Sequence, residues 1–520
     1  MLHTTRQAAE WLKSRVTSGL HSDSRKVQAG GGFIAWPGAV NDARAHVPAA
    51  LQAGASACLV EAEGAAAFRL PDEGVEQFSG LKAATGPIAA AYFEHPSKEL
   101  AVLAVTGTNG KTSTAWWLAQ SLSALQGAAA MPAAVIGTLG MGCPPAPGAA
   151  QTDAADTADA ADTPHPVTRL QATGLTTPDP VQLQQALRRF ANDGIQACAI
   201  EATSIGIEEG RLNGTEVRLA LFTNFTQDHL DYHGSMEAYW QAKRRLFGWS
   251  GLQGVVLNID DARGLELAET LDADSLDVWT FASTRPARLR ARNIAYSASG
   301  MCFEVVEQGQ HTLPLQTGLM GSYNVSNLLC VLAALRALDV PLAEAVRVGA
   351  LLQPVPGRME CLGGAGQPLV AVDYAHTPDA LGQALQALRP TVQARAGRLW
   401  CVFGCGGDRD RAKRPLMGAM ATRHADRVVV TSDNPRSEKP ESIIAQILLG
   451  MACCNTLEVE SDRARAIAQT IARAAAADVV LLAGKGHEAT QEIAGVKTPF
   501  SDRAHVLQAL RQRQANADQA

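Results

Sequence analysis

Residues 100–117 read LAVLAVTGTNGKTSTAWW, and the rest of the chain is best interpreted outward from this stretch. The apolar run from Leu100 to Val105 is typical of a buried strand, and an Ala/Leu-rich helix is predicted to begin near Ser113. A Gly-rich turn between a strand and a helix directs backbone N–H groups and the positive end of the helix toward an anion. The sequence therefore predicts a phosphate-binding loop, whose residues are Gly107, Thr108, Asn109, Gly110, Lys111 and Thr112.

The last two residues of this loop indicate its chemistry. Lys111 is expected to reach the outer phosphates of a nucleotide, and Thr112 is expected to place its hydroxyl on Mg²⁺. The usual Walker spacing has another glycine at the position that Val105 occupies, so the match is to a variant of that motif. An ordinary turn between a strand and a helix is the alternative, and the strand and helix patterns on both sides disfavour it.

Length, charge and cysteine spacing limit the class of protein. The chain has 520 residues, too many for a single core, and its net charge of −6 with no long basic run argues against nucleic acid as a partner. The first residues lack a secretory apolar region, and no apolar run approaches the roughly 20 residues of a membrane span. The ten cysteines do not have zinc-site spacing and are interpreted as reduced thiols. We therefore expect a cytoplasmic protein with no membrane partner.

Periodicity predicts an α/β protein of three domains. Residues 1–98 alternate helix and strand patterns and form a small N-terminal α/β domain. Residues 99–354 contain the loop and form a central P-loop ATPase-like domain with a mostly parallel sheet, which residues 143–166 interrupt as an acidic, mobile insert. Residues 355–520 alternate strands with helices and form a C-terminal Rossmann-like, doubly wound domain. In such folds ligands bind beyond the carboxyl ends of the strands.

Polar residues of the central domain collect after its predicted strands. Glu201 ends one such strand, where a carboxylate beside the loop can hold a metal ion. Thr176 and Thr177 precede a helix and can cap it or bind a ligand, and capping is the commoner role. Lys243 lies on a helix predicted over 237–247, where a lysine is ordinarily a solvated surface residue. The strand that follows the Glu201 strand along the chain is itself followed by a further polar group: Asn224, Asp228, His229 and His233.

Taken together, these residues resemble the Mur ligases, ATP-dependent amide-forming enzymes of peptidoglycan synthesis. The resemblance extends over nearly the whole chain, with its elements in family order. The matching positions are Gly107–Thr112, Glu201, Asn224, His229, Lys243, Asn324, 358–360 (RME), 373–376 (DYAH) and 484–488 (GKGHE). Within the family, 23–25 (DSR) and 433–436 (DNPR) resemble the members that add meso-diaminopimelate to UDP-N-acetylmuramoyl-L-alanyl-D-glutamate.

The resemblance implies roles for individual residues. Catalytic roles would fall to Lys111, Lys243, His229 and Glu201. ATP would be bound by Gly107–Thr112 and by Asn324, Arg358 and Asp373. Mg²⁺ would be held by Thr112, Glu201, His229 and a carbamate formed on Lys243. The UDP-sugar dipeptide would contact Ser24, Thr176, Thr177, Thr203 and Arg211. Diaminopimelate would contact Arg409, Asp433, Asn434, Pro435, Arg436, Gly484 and Glu488. The resemblance also implies domain closure during turnover and a monomeric protein that contributes to cell-wall biogenesis, cell shape and cell division.

Three positions depart from the family pattern, and two other functions stay open. Ile205, Glu209 and Ala43 stand where relatives often carry His, Gln and Gly, which bears on contacts to the nucleotide sugar. One alternative is another ligase of the same fold, adding L-lysine or D-alanyl-D-alanine, or a folylpolyglutamate synthase. The other is a nucleotide switch that hydrolyses ATP and signals through a partner.

Overall fold

The computed structural model describes residues 1–38, 41–147, 170–271, 273–297, 300–309, 312–451 and 456–519, and it divides into two compact units. One unit comprises residues 1–289 and 330–345, and the other comprises 290–329 and 346–520. Most of the insert predicted at 143–166 lies outside the described residues. Among the described residues, no helix combines the length and apolar character needed to cross a bilayer.

The first unit begins with a four-stranded, all-parallel sheet in the order β1-β2-β3-β4. Its elements are α1 Thr5–Lys13, β1 Leu20–His21, β2 Gly32–Ala35, α2 Val47–Gln52, β3 Ala57–Glu61, β4 Val75–Phe78 and α3 Leu81–Tyr92. Thr4 caps α1 through a capping box with Gln7, as expected for a Thr followed three residues later by Gln. One face of the sheet packs against α1 and α3, and Val181 from a later helix joins the same core.

The second sheet of this unit carries the predicted loop. Within this unit its strands run in the order β11-β10-β9-β5-β8-β6-β7, and all neighbours are parallel except β6 and β7. The elements are β5 Ala101–Thr106, α4 Lys111–Ser123, β6 Ala133–Gly137, β7 Gly140–Gly142, α5 Pro180–Asn192, β8 Ala197–Glu201, α6 Ser204–Glu208, β9 Leu219–Phe222, α7 Leu230–His233, α8 Met236–Arg244, β10 Gly254–Asn258, α9 Ala262–Thr270 and β11 Asp277–Ala282. β5 lies between β8 and β9, so their carboxyl ends meet around the loop that follows β5.

Three strands and two helices follow before the third sheet. They are β12 Leu289–Ser297, β13 Gly300–Glu307, β14 Thr312–Thr317, α10 Tyr323–Ala337 and α11 Leu342–Ala350. β13 and β14 pair antiparallel. Alternating exposure along β12 and β14 reflects strands with one face toward water. The central domain, predicted over 99–354 with a mostly parallel sheet, thus also contains the antiparallel pair β13 and β14.

The third sheet has six strands in the order β15-β16-β20-β17-β18-β19, antiparallel only at β15. The elements are β15 Glu360–Gly363, β16 Leu369–Asp373, α12 Pro378–Arg395, β17 Leu399–Phe403, α13 Lys413–His424, β18 Arg427–Val430, α14 Pro440–Leu448, β19 Leu457–Val459, α15 Arg463–Arg473, β20 Val479–Ala483, β21 Thr490–Ile493, β22 Val496–Pro499 and α16 Asp502–Gln519. β21 and β22 form a separate antiparallel hairpin.

Helices cover both faces of this third sheet. Side chains of α12, α13 and α14 pack on one face together with Leu369 and Ala371 of β16. Side chains of α15 and α16 pack on the other face together with Val370 and Val372. Alternate residues of one buried strand thus enter two different cores, as the period of two in a strand requires. The predicted α/β class and the doubly wound third domain are confirmed, whereas the boundaries at 98/99 and 354/355 stay predictions.

A fully buried ion pair fastens α15 and α16 to the strand ends of the third sheet. Arg463 donates to both carboxylate oxygens of Asp502 at 2.7 Å, and neither side chain is exposed. The same guanidinium donates to the carbonyl oxygens of Ser432 and Ala483, which precede two of the loops predicted to bind the amino acid. Because the guanidinium's contacts are all internal, removing it leaves Asp502 buried and unpaired.

We predict that Arg463→Met destabilises the protein by about 3–5 kcal/mol, because an uncompensated carboxylate stays in the core. Urea denaturation followed by circular dichroism measures this change. The double variant Arg463→Met/Asp502→Leu should recover much of the loss, because it removes both charges. Arg6 and Glu10 form a surface pair with side chains 86% and 61% exposed, so Arg6→Ala serves as the control and should leave the midpoint unchanged. A stable single variant at position 463 would contradict the prediction.

Candidate functional site

The loop after β5 is held in shape by residues that follow β9. The Asn224 side chain accepts from the Asn109 backbone N–H at 2.9 Å and donates to the Asn109 carbonyl oxygen at 3.0 Å. Thr223 also donates to that carbonyl oxygen, at 2.6 Å. Gly107 has φ +145°, and a Cβ there would lie 1.9 Å from Thr223 Oγ1, so only glycine fits. The loop is therefore rigidly supported from the neighbouring strand.

Lys111 and Thr112 open helix α4, which begins two residues before the predicted Ser113. Gly110, with φ +85°, precedes the helix, so the first helical N–H groups border the loop. Lys111 Nζ donates to the carbonyl oxygens of Gly107 and Thr108 at 3.0 and 2.8 Å. The lysine thus folds over the loop, and its charge lies against two of the loop's carbonyl oxygens.

Glu201 meets Thr112 at the carboxyl end of β8, as the sequence predicts. Thr112 Oγ1 donates to Glu201 Oε2 at 2.9 Å, and the Thr138 backbone N–H donates to Oε1 at 2.7 Å. The glutamate is 1% exposed, and a Cβ on Gly137 would lie 2.2 Å from its Oε1. A buried carboxylate beside a threonine hydroxyl is an all-oxygen donor set of the kind that Mg²⁺ prefers. Thr112 and Glu201 therefore fit the predicted metal site.

Lys243 is buried, contrary to the surface position that is ordinary for a lysine on helix 237–247. Its side chain is 1% exposed, and Nζ donates to the Gly107 carbonyl oxygen at 2.7 Å. Nζ also lies 4.5 Å from the centre of the Tyr239 ring. Burial lowers the pKa of Lys243 well below its ordinary value, and the positive charge of Lys111 lowers it further. The helix itself ends at Arg244, three residues earlier than predicted.

His229 lies beside these two lysines. Burial lowers the pKa of its imidazole; Asp228 opposes that shift, and Lys111 and Lys243 reinforce it. Its Nε2 lies 3.5 Å from Asp228 Oδ2, and its backbone is left-handed with φ +51°. A neutral imidazole is the form that binds a metal ion. Of the predicted metal ligands, Thr112 and Glu201 touch each other, while His229 and Lys243 form a second group next to Lys111.

The threonines predicted to contact the UDP-sugar dipeptide form one hydrogen-bonded cluster. Thr177 Oγ1 donates to the Glu201 carbonyl oxygen at 2.7 Å and lies 2.9 Å from Thr203 Oγ1. Arg211 donates to the Thr177 carbonyl oxygen at 3.0 Å. Neither Thr176 nor Thr177 caps the next helix, because Asp179 accepts from the first two N–H groups of α5. The capping alternative for these threonines is therefore wrong.

Ser24 lies in the segment between β1 and β2 of the same unit. It begins a short 3₁₀ turn, Ser24–Lys26, which Asp23 caps by accepting from the Arg25 N–H. Asp23 and Arg25 also pair side chain to side chain at 2.8 Å. The 23–25 motif thus forms a turn rather than an open loop. Among the described residues, no hydrogen bond connects Ser24 with the threonine cluster.

Asn324, Arg358 and Asp373, predicted to bind the nucleotide, belong to the second unit. Asp373 accepts from the backbone N–H groups of Met359 and Ala375 at 2.7 and 2.8 Å, and burial raises its pKa although Arg358 opposes the shift. The Arg358 guanidinium lies 4.4 Å from the centre of the Tyr374 ring. Asn324 lies within the first turn of α10 and donates to the Met320 carbonyl oxygen.

The loops after β18 and β20, which carry most of the residues predicted to bind diaminopimelate, contact each other. Gly484 has φ +116°, and a Cβ there would lie 2.4 Å from Asp433 Oδ2, so the two loops touch at a glycine. Burial raises the pKa of Asp433, and Arg463 and Lys485 oppose the shift. Asn434 Nδ2 donates to Glu488 Oε2 at 2.7 Å. These contacts place residues of both sequence motifs against each other.

Arg436 and Arg409 both lie close to Gly406, in the loop after β17. A Cβ on Gly406 would lie 3.0 Å from Arg436 Nη1 and 3.7 Å from Arg409 Cγ. Arg436 donates to the Gly407 carbonyl oxygen at 2.7 Å and keeps 25% of its side chain exposed. Its left-handed backbone, φ +52°, is fixed by hydrogen bonds to Glu492 and Ala494 of the hairpin side. Pro435 packs so closely that a Cβ on Gly407 would lie 1.9 Å from its carbonyl oxygen.

Several residues of these sites were not assigned roles from the sequence. Thr138 supports Glu201 from the end of β6, and its Oγ1 lies 3.1 Å from Thr176 Oγ1. Tyr239 contacts Thr108 through its hydroxyl at 3.2 Å. His487 packs on Tyr374, and burial lowers its pKa to about 4. A polar residue directly after a buried strand was the available signal for Thr138, whereas nothing in the sequence distinguished Tyr239 from a core aromatic.

The parallel sheet and the Gly107–Thr112 loop between β5 and α4 place the chain in the class of α/β proteins with a P-loop-type domain. The family model described as "Mur ligase middle domain" matches residues 105–335, and the one described as "Mur ligase, glutamate ligase domain" matches residues 357–486. A curated relative from Acidovorax sp. (strain JS42), UDP-N-acetylmuramoyl-L-alanyl-D-glutamate--2,6-diaminopimelate ligase, is 57% identical over 516 residues, 98% of each chain. The chain belongs to the Mur ligase family.

Solved structures agree with this assignment. A structure of UDP-N-acetylmuramoyl-L-alanyl-D-glutamate--2,6-diaminopimelate ligase is 35% identical, covers 95% of each chain and superposes with a TM-score of 0.64. The MurF ligase from Thermotoga maritima in complex with ADP is 18% identical, covers 97% of this chain and 99% of its own, and superposes with a TM-score of 0.61. The second likeness establishes a shared fold. The family resemblance expected from the sequence is thus confirmed.

Proposed function

We propose that the chain is an ATP-dependent amide ligase that adds meso-2,6-diaminopimelate to UDP-N-acetylmuramoyl-L-alanyl-D-glutamate during peptidoglycan precursor synthesis in the cytoplasm. The full-length likeness to the Acidovorax ligase supports this reaction, since 57% identity extends over 98% of both chains. The observation that carries the amino-acid assignment is the contact of the 433–436 loop with the 484–488 loop, where Asn434, Arg436 and Glu488 collect. We further propose that the protein acts as a monomer.

The proposed reaction joins a carboxylate to an amine through an activated intermediate. A substrate carboxylate oxygen attacks the γ-phosphorus of ATP, ADP leaves, and an acyl phosphate forms. The amine then attacks the carbonyl carbon, inorganic phosphate leaves with the electrons of the C–O bond, and the nitrogen loses a proton. Such transfers depend mainly on positioning and on stabilisation of charge in the transition state.

The loop residues have the charges that this reaction requires. Lys111 would meet the β- and γ-phosphates, and the backbone of Gly107–Thr112 would surround them. Thr112, Glu201, His229 and a carbamate on Lys243 are proposed to hold Mg²⁺, which neutralises charge on the phosphates and on the substrate carboxylate. Asn324, Arg358 and Asp373 stay the residues proposed to hold the nucleotide from the second unit.

The remaining predicted residues would recognise the two organic substrates. The UDP-sugar dipeptide is proposed to bind Ser24 and the threonine cluster with Arg211, where hydroxyls and a cation suit phosphate and carboxylate oxygens. Diaminopimelate is proposed to bind Asp433, Asn434, Pro435, Arg436, Gly484, Glu488 and Arg409.

The reaction is tested by measuring phosphate release with each substrate omitted in turn. We expect release to require ATP, the UDP-sugar dipeptide and the amino acid together, because the phosphoryl acceptor is a substrate carboxylate and the amine drives the second step. Steady ATP turnover without either organic substrate would contradict an amide ligase and would instead indicate a nucleotide switch. Arg411, on the loop before α13 with a side chain 69% exposed, offers a variant (Arg411→Ala) that should behave as the parent in this assay.

We predict that Arg436→Ala raises the KM for meso-diaminopimelate by more than tenfold. Relative to L-lysine, this substrate carries one additional carboxylate at its far end, and a guanidinium can bind it through two parallel hydrogen bonds. Loss of such a contact costs about 2–5 kcal/mol when desolvated. The partial exposure of Arg436 favours the lower end of that range. Steady-state kinetics with each substrate varied provide the measurement.

The control for this prediction is Arg411→Ala on a neighbouring loop. It should leave the KM for diaminopimelate unchanged, and both variants should keep the parent KM for ATP and for the UDP substrate. An unaltered diaminopimelate KM in Arg436→Ala would show that this arginine does not select the amino acid.

A further inference from the structure

Lys485 is the buried centre of the loop cluster that the proposed function assigns to the amino acid. Its side chain is fully buried, and its Nζ donates to three acceptors: Asn434 Oδ1 at 3.1 Å, Glu488 Oε2 at 3.0 Å and the Thr490 carbonyl oxygen at 2.7 Å. An ammonium has three N–H donors, and these three contacts use all of them. Lys485 therefore has no donor left for a substrate.

The three acceptors come from three different segments. Asn434 lies in the loop after β18, Glu488 lies in the loop after β20, and Thr490 begins strand β21 of the hairpin. The hairpin is also joined to the first loop through the Glu492 backbone N–H, which donates to Asn434 Oδ1 at 3.0 Å. One ammonium thus fixes the relative positions of both loops and the hairpin.

These contacts determine which way the Asn434 amide faces. Its oxygen accepts from Lys485 and from the Glu492 N–H, and its Nδ2 donates to Glu488 Oε2. A flipped amide would place NH₂ against two donors and oxygen against a carboxylate, so the observed orientation is the only satisfied one. The side-chain amide of Asn434 is therefore held in one orientation.

The same contacts fix the Glu488 carboxylate. Its Oε2 accepts from both Lys485 and Asn434, and its side chain is 31% exposed. In the described part of the chain, no hydrogen bond reaches its Oε1. A carboxylate that is held by hydrogen bonds to one oxygen can bind a substrate ammonium through its other oxygen with little loss of side-chain conformational entropy.

We propose that Lys485 is a positioning residue for specificity: it orients Asn434 and Glu488 so that they select an amino acid with a second, distal ammonium group. The inference rests on the proposed function, because that function assigns this loop cluster to diaminopimelate. Lys485 acts through Asn434 and Glu488 and does not itself touch the substrate.

The test compares two substrates in the parent, Lys485→Met and Glu488→Gln proteins. The substrates are meso-diaminopimelate and L-2-aminopimelate, which keeps the distal carboxylate and lacks the distal amine. We expect Lys485→Met to lower kcat/KM for meso-diaminopimelate by about 10- to 100-fold, as for loss of a buried charged hydrogen-bond network. Utilisation of L-2-aminopimelate and the KM for ATP should change by no more than about twofold. Glu488→Gln should abolish the preference for meso-diaminopimelate over L-2-aminopimelate. The double variant Lys485→Met/Glu488→Gln should lose no more of that preference than Glu488→Gln alone.

Lys497→Met is the matched control, since Lys497 lies on β22 of the same hairpin and is exposed. It should keep the parent preference between the two substrates. If Lys485→Met is not recovered as folded protein, Lys485→Gln replaces it and should show the same lost preference. An equal decrease for both substrates, or a fall in thermal stability with the preference intact, would overturn the positioning role. Failure of the parent protein to use meso-diaminopimelate at all would instead reject the proposed function.

Discussion

Replacing Lys111 by alanine is expected to decrease amide formation by about 10²–10³-fold, because it removes the cation proposed to face the β- and γ-phosphates. The ammonium is supported by the carbonyl oxygens of Gly107 and Thr108, so its position is defined by the loop itself. The fold should be intact in the variant, since Thr223 and Asn224 hold the loop through hydrogen bonds that do not involve Lys111. Product formation and ATP affinity are measured on the same preparation.

The control for Lys111→Ala is Lys98→Ala. Lys98 precedes β5, is 59% exposed and pairs with Glu216 at 3.5 Å, so its loss should not affect turnover. Near-normal turnover of Lys111→Ala with unchanged nucleotide affinity would mean that the loop does not hold the reacting phosphates.

Lys243→Ala is expected to be inactive and to regain part of its activity with formate or another small carboxylate. A carbamate forms when a neutral amine attacks CO₂ and releases a proton, so the amine must be unprotonated. Burial and Lys111 lower the pKa of Lys243, and the neutral fraction at neutral pH rises accordingly. The proposed carbamate would be a carboxylate near Lys111 and His229, and it would replace an unfavourable cation by an anion suited to Mg²⁺.

Two further measurements bear on the carbamate. The carbonyl carbon should appear by ¹³C NMR in protein equilibrated with ¹³C-bicarbonate, and the signal should be absent from Lys243→Ala. Arg244→Ala, altered at the exposed neighbouring position, should keep both the signal and the activity. An active Lys243→Ala protein would remove the lysine from the mechanism.

Much of the fold could be predicted because strand and helix patterns in this chain are local. The strand–loop–helix unit around residues 101–123 and the alternating elements after residue 368 follow directly from periodicity and Gly-rich turns. The β12, β13 and β14 strands were missed, as were β15, β19, β21 and β22. The last four are three or four residues long, and β22 is fully exposed, so no apolar pattern marks them. Short strands of this kind form through pairing with neighbours.

The sequence identified residues of the candidate sites, but it did not predict the hydrogen bonds that join these residues across distant segments. Its position at the end of a predicted strand identified Glu201, whereas Asn434 and Glu488 were identified by resemblance to the family motifs. Burial of Lys243 was not predictable from composition, because it depends on helix α8 packing against the Gly107 loop across 136 residues of sequence. The role of Lys485 was hidden for the same reason, since its partners come from loops 51 residues apart and from an unpredicted hairpin.

Mass analysis of the product formed from UDP-N-acetylmuramoyl-L-alanyl-D-glutamate, ATP and a panel of amino acids shows which amino acid the protein adds. The panel contains meso-diaminopimelate, L-lysine, D-alanyl-D-alanine and L-glutamate. The proposed function predicts one new amide, whose mass equals that of the UDP substrate plus meso-diaminopimelate minus one water, formed with one ADP and one phosphate. A product with L-lysine at comparable efficiency, or none with meso-diaminopimelate, would contradict it.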